Sequence, residues 1–188
     1  MPTVHSAVVL LLAMPAAVAQ TACLPGWTQA PSSSSWGDKC YKEFGPSADA
    51  RDGMPTTGGH NHSECRQVCR SQSTTGRLLC ATSSSEIAYV AGSAYMEGWT
   101  GYTQDTTASD YAEPAGGWRW EGCVSTYQPT WYQYSSGSRQ TPDDTGNGMT
   151  SDVSCTILFA DQTINDYACG DGTGSAWSRC APPAHAPA

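Results

Sequence analysis

Six aspartates, Asp143, Asp144, Asp152, Asp161, Asp166 and Asp171, fall within residues 140–178, a stretch that holds no Lys or Arg. Carboxylates crowded in this way repel one another unless water solvates them or a cation neutralises them. The surrounding residues are rich in Gly, Asn, Ser and Thr. Such a segment offers the carboxylate, amide and carbonyl oxygens that a hard cation such as Ca²⁺ requires. A solvated acidic loop and a Ca²⁺ site are the two readings of the segment. Just ahead of it stand Trp131, Tyr132 and Tyr134. Aromatic rings there would either stack on the apolar face of a sugar or pack into the core.

Other chemistry-bearing residues are sparse. His60 and His62 are two residues apart, but no third ligand accompanies them to complete a zinc-like set. Asn61-His62-Ser63 is an N-glycosylation sequon. The remaining histidines, His5 and His185, lie near the two ends of the chain. No Ser/His/Asp arrangement, phosphate-binding glycine loop or metalloprotease helix motif is present, and the chain is expected not to be an enzyme. The neighbouring carboxylates of Asp143 and Asp144 are badly placed to flank one scissile bond.

Composition narrows the setting. The chain has 188 residues and a net charge of −8, with only nine Lys and Arg. That balance excludes a nucleic-acid binder, which needs a basic footprint. A hydrophobic content of 39% and a mean hydropathy of −0.41 exclude a multi-span membrane protein. Nine cysteines in so short a chain point to an oxidising compartment, and an odd count leaves one without a partner inside the monomer. Residues 8–19 are an apolar run ending in Ala17-Val18-Ala19. Too short to span a bilayer, the run reads as a secretory signal cut before Gln20. The expected organisation is a signal peptide over 1–19, a single domain over 20–181 and a loose tail over 182–188, secreted to the extracellular space.

The elements that would position these residues are short. Trp27 and the run from Trp36 to Phe44 suggest a hairpin, with Cys23 and Cys40 at its ends. Residues 61–71 read as a helix, with Asn61 as N-cap, Glu64 completing a capping box, and Cys65, Val68 and Cys69 on one face. A second helix is expected from Ser83, with Glu86 three residues on and Ile87, Val90 and Ala91 on its apolar face. Leu78-Leu79-Cys80-Ala81 reads as a short buried strand. Residues 99–102, 118–120 and 155–159 are further strand candidates, separated by long polar loops.

The order of these pieces resembles the long form of the C-type lectin-like domain. The carriers are Cys23-Leu24-Pro25-Gly26-Trp27, Cys40-Tyr41, Cys69, Leu78, Ser83 and Glu86, then Trp99-Thr100-Gly101-Tyr102 and Trp118-Arg119-Trp120-Glu121-Gly122. Most specific is Cys155, an apolar strand, Ile164-Asn165-Asp166, and Cys169 fourteen residues after Cys155. Ile164 stands where the family has Trp.

The resemblance implies an α+β fold with two helices, small antiparallel sheets and a long loop region. It also implies three disulfides, Cys23–Cys40, Cys69–Cys180 and Cys155–Cys169. Cys65, Cys80 and Cys123 fall outside that frame. One pair among them plus one leftover thiol is the simplest outcome, and an intermolecular bridge is the alternative. In the family's sugar-binding members Ca²⁺ and sugar share a site built on a proline motif with a cis bond. By resemblance, Thr141-Pro142-Asp143 takes that place, with Gln140 one residue early. The implied Ca²⁺ ligands are Asp143, Asp152, Asn165 and Asp166. The implied sugar contacts are Gln140, Asp143, Asn165, Asp166 and Trp131. The resemblance therefore implies Ca²⁺-dependent binding of glycans or glycoproteins, with Ca²⁺-independent extracellular protein contact as the alternative.

Overall fold

Asn61 begins the first helix as its sequence suggests. In the computed structural model its backbone is extended, its Oδ1 accepts from Glu64 N at 2.9 Å, and Glu64 Oε2 accepts from Asn61 N at 3.0 Å. This reciprocal box satisfies two donors that a helix start leaves open. Helix α1 then runs His62–Gln72. The structure describes residues 23–44, 61–92, 98–133, 142 and 154–170, together with the backbone of 177–180.

Among the described residues eight strands join the helices: β1 Thr28–Gln29, β2 Cys40–Phe44, β3 Gly98–Gln104, β4 Trp118–Trp120, β5 Thr130–Trp131, β6 Cys155–Leu158, β7 Thr163–Tyr167 and β8 Trp177–Cys180. Helix α2 is Ser84–Gly92. The strands pair in the order β1-β2-β8-β3-β6-β7-β5, with β4 on β3. Most pairs are antiparallel, but β3–β8 and β5–β7 are parallel. The expected small sheets are thus linked into one path, because β8 enters between β2 and β3.

The two faces of this sheet bury different clusters, as period-two alternation requires. Ile157 and Trp99 lie in one with Phe44, Cys65, Cys69 and Leu78. Leu158 and Tyr102 lie in the other, with Leu79, Ile87, Val90, Trp118 and Trp120. Leu79 also bridges to Thr100, and Gly101 N donates to Leu79 O at 2.8 Å. That approach suits glycine, since a Cβ at Gly101 would stand 3.0 Å from the same oxygen.

Two of the expected disulfides are present, Cys23–Cys40 and Cys155–Cys169. Cys69 is disulfide-bonded, and the side chain of Cys180 lies outside the described residues. The open question among the three extra cysteines is answered by a Cys80–Cys123 bridge. Cys65 lies outside that pair, fully buried on α1. Its face of the helix is the apolar one expected from its spacing with Cys69.

Helix α2 departs from expectation at one residue. Ser83 Oγ accepts from Glu86 N at 3.2 Å, as a cap should. The Glu86 carboxylate, however, turns into the protein. Its Oε1 accepts from Lys39 Nζ and Tyr41 OH, each at 2.7 Å, and its Oε2 from Thr82 N and Thr82 Oγ1, each at 2.8 Å. It is fully buried, and these four donors offset the cost of removing a carboxylate from water. The same environment pushes the Tyr41 phenol well above its usual pKa, through burial first and the Glu86 charge second.

Candidate functional site

Strand β7 carries Asn165 and Asp166 along the antiparallel ladder with β6, where Thr156 opposes Asp166 and Ile157 opposes Asn165. The turn into β7 is set locally. Asp161 Oδ1 accepts from Thr163 N and Thr163 Oγ1 at 3.0 and 2.6 Å, and Gln162 takes a positive φ of 72°. The Cys155–Cys169 bridge pins the other end of the ladder. Between these fixed ends Asn165 is 4% exposed and Asp166 2%.

Thr156 does not serve Asp166. Its hydroxyl donates to Tyr102 O at 2.8 Å, so the 2.5 Å contact between Thr100 Oγ1 and Thr156 Oγ1 has Thr100 as donor. Asn165 Oδ1 and Asp166 Oδ1 accept no hydrogen bond, although both residues have partners. Buried oxygens of this kind are uncommon, and a cation is one of the groups that satisfies them.

Trp131 lies on β5 beside this pair, opposite Ile164 in a parallel ladder. Its half-buried ring is edge-on to Trp118, with centroids 5.0 Å apart, and tilted against Tyr102. Tyr102 donates its hydroxyl to Gln128 Oε1, and Trp120 Nε1 donates to Tyr127 O, so the chain leading to β5 is tied to the same aromatic group. The burial of Tyr102 raises its hydroxyl to about 12.

A separate cleft of about 530 Å³ opens between α1 and the β3–β4 hairpin. Arg66 Nη1 donates to Glu121 Oε1 at 2.6 Å across it. Arg119 donates to Asp110, and its Nε lies 3.7 Å from Asp105 Oδ2. Hydrogen bonds from Thr107, side chain first, hold the Asp105 carboxyl below its usual range. At the cleft's inner wall His62 Nε2 meets Thr100 O at 3.0 Å. A carbonyl only accepts, so Nε2 carries the proton. Burial lowers the pKa of this ring and keeps it neutral.

Comparison with solved structures places this geometry. The carbohydrate-recognition domain of cow CD23, determined with a GlcNAc2Man3 oligosaccharide, is similar with a TM-score of 0.59 and 17% identity, covering 88% of this chain and 98% of that one. The chain has the C-type lectin-like fold. The C-type lectin CEL-I from Cucumaria echinata has a TM-score of 0.55 and 18% identity, over 85% of this chain and 96% of its own. A calcium-independent type II antifreeze protein matches the lectin-like fold equally well, with a TM-score of 0.55 and 18% identity, over 86% and 95%. No protein-family model and no curated protein matches the sequence.

Within this lectin-like fold the sequence-derived residues divide. Asn165 and Asp166 sit on β7, and Trp131 lies on the neighbouring β5. Gln140, Asp143 and Asp152 lie outside the described residues, as does the bond before Pro142. The cis peptide among the described residues is Glu113–Pro114. There Gln104 Nε2 donates to Glu113, and Trp118 Nε1 donates to Pro114 O. Asp161 is occupied by its own turn. Among the described residues no three His, Cys, Asp or Glu side chains gather as a metal set. His62 turns inward to Thr100 O, and His60 lies outside the described residues. Sequence reasoning missed Arg66 and Arg119 as cleft residues. The signal for Arg119 was its place between two buried tryptophans on β4, which points it outward.

Proposed function

We propose that this chain is a secreted, non-enzymatic glycan-binding module whose loop region between β5 and β6 holds Ca²⁺ and, through it, a sugar. The observation that carries the reading is the buried Asn165–Asp166 pair on β7, in a lectin-like fold, within the Lys- and Arg-free sequence of residues 140–178. Their oxygens are the donor type a hard cation takes. Asn165 and Asp166, with Asp143 and Asp152 from the loop, would hold the ion. Bound Ca²⁺ would supply open coordination positions for vicinal hydroxyls. The protein's own part is to hold the two β7 side chains rigidly, through the β6 ladder and the Cys155–Cys169 bridge. Gln140 and the exposed part of Trp131 complete the sugar contacts in this reading. No helix among the described residues is long and apolar enough to cross a membrane, and the disulfides suit an extracellular setting.

Glycan-array binding with and without EDTA tests this. Binding that EDTA abolishes supports the reading; binding that survives EDTA removes the ion, and silence across a broad array removes the glycan. The similarity to a calcium-independent antifreeze protein favours one second reading, an ion-free lectin-like domain for extracellular protein contact. N-glycosylation at Asn61 belongs to the same proposal. The cap uses its Oδ1, whereas a glycan would take its Nδ2. A mass shift on enzymatic deglycosylation, lost in Ser63→Ala, is the expected sign; an unchanged mass refutes it.

A further inference from the structure

Trp131 is the aromatic contact of the proposed sugar site, yet its own strand gives it little support. β5 has two residues, shorter than an ordinary strand, and meets β7 through Thr130–Thr163 and Trp131–Ile164. Residues 122–129, which lead into it, belong to no helix or strand. Side-chain ties hold that stretch instead. The Cys80–Cys123 bridge attaches its start, and Ser125 Oγ donates to Ala81 O at 2.7 Å. Trp120 Nε1 donates to Tyr127 O at 2.8 Å, and Tyr102 OH donates to Gln128 Oε1 just ahead of β5.

Tyr102 therefore reaches Trp131 in two ways. Its ring is tilted against the Trp131 ring, with centroids 6.1 Å apart. Its hydroxyl holds the chain immediately before that ring. Tyr102 is itself fixed. It is 1% exposed on β3, stacked on Trp118 and tilted against Trp120. Gln128, by contrast, is exposed. A buried hydroxyl loses free energy without its acceptor, whereas an exposed amide has water as an alternative partner. The bond thus draws the segment onto the core. Burial pushes the Tyr102 phenol up to about 12, so it keeps its proton and donates at neutral pH.

We infer that Tyr102 and Gln128 are positioning residues for Trp131, and that the bond between them sets where the ring stands for a sugar. The role of Trp131 as a sugar contact rests on the glycan reading above. The hold of Tyr102 on the ring does not.

The test is fluorine NMR of the full chain labelled with 5-fluorotryptophan, with the Trp131 signal assigned by its loss in Trp131→Phe. Tyr102→Phe keeps the buried ring and removes the hydroxyl. Gln128→Ala removes the acceptor at an exposed position, so it reports even if Tyr102→Phe fails to fold. Gln128→Glu keeps an acceptor. Tyr102→Phe and Gln128→Ala are expected to shift the Trp131 signal, and Gln128→Glu to leave it at its native place. Trp27 and Trp99, in the opposite cluster, should keep their signals in all three. Methyl β-galactoside and methyl α-mannoside, titrated with Ca²⁺ present, supply the sugar readout. The two bond-breaking variants are expected to raise the Kd of whichever sugar binds by about fivefold, the net worth of one hydrogen bond. A Trp131 signal that stays in place in both variants overturns the inference. Equal displacement of Trp27 and Trp99 overturns it too, because it marks a general loosening, and so does an unchanged Kd where Trp131 has moved. Where the native chain binds neither sugar, the fluorine spectra alone decide, so this inference and the glycan reading fail separately.

Discussion

Glu86 and Asp166 are both buried carboxylates, and their surroundings could hardly differ more. Glu86 on α2 receives donors on both oxygens, from Lys39, Tyr41 and Thr82. Lys39 is itself held by Cys80 O at 2.8 Å. Everything that carboxylate needs comes from its own neighbours, so its charge belongs to the architecture. Asp166 on β7 has a partner but keeps an Oδ1 that accepts no hydrogen bond, and Asn165 beside it does the same. Its opposite neighbour Thr156 is committed to Thr100 and Tyr102. A buried oxygen left without a donor is costly in a finished core and useful where a ligand arrives later. The contrast separates a carboxylate whose two oxygens both accept from named neighbours from one that retains an Oδ1 accepting no hydrogen bond.

Removing the Glu86 carboxylate is the harshest way to probe this contrast. Glu86→Ala strands the Lys39 ammonium and should cost about 3–5 kcal/mol, the range for breaking a buried pair. Urea unfolding measures it, and the loss should be the same with Ca²⁺ or EDTA. A loss below about 1 kcal/mol would make Glu86 no more than a surface-type pair.

Asp166→Asn should behave in the opposite way. If the loop reading holds, Ca²⁺ at roughly a hundredfold excess over its Kd stabilises the native chain by about 2.7 kcal/mol. The variant should lose that response while its melting point in EDTA stays level or rises. A native chain whose melting point ignores Ca²⁺ breaks the comparison.

His62 gives the smallest effect and extends the comparison to a third buried titratable group. Burial lowers its pKa in the folded chain below the unfolded value of about 6.5. The unfolded chain therefore binds the proton more readily. Stability from the neutral ring is present above that value and is lost as pH falls below it. The urea midpoint should drop between about pH 7 and pH 5. His62→Gln, which can still donate to Thr100 O, should flatten that part of the profile. An unchanged slope in the variant would assign the pH dependence to other groups.

The sequence disclosed local chemistry and missed what depends on distant partners. Asn61 and Glu64 announced the α1 cap because both halves of the box lie within one turn. The Ser83-x-x-Glu86 spacing looked the same, yet Glu86 serves Tyr41 and Lys39, residues more than forty positions away that no local pattern connects. The cysteine frame was legible through its resemblance to a known order of pieces. Cys80–Cys123 was not, because three extra cysteines allow several pairings and only the fold chooses. Asn165 and Asp166 were singled out by the resemblance, ahead of Cys169, while their burial follows from the β6–β7 ladder. The inward turn of His62 to Thr100 O was not legible either, because sequence spacing carries no information about which way a helical side chain turns at its first residue.

The Cys80–Cys123 bridge has a consequence for the integrity of the chain. It closes a covalent ring that contains α2, β3, β4 and the hairpin loop over residues 105–117. That loop includes the exposed Tyr111, an accessible point for a protease. A single cut there opens the ring without releasing either piece. The clipped molecule would run as one band until reductant is added, then separate into two, with Lys39, Tyr41 and Glu86 still together on the N-terminal fragment.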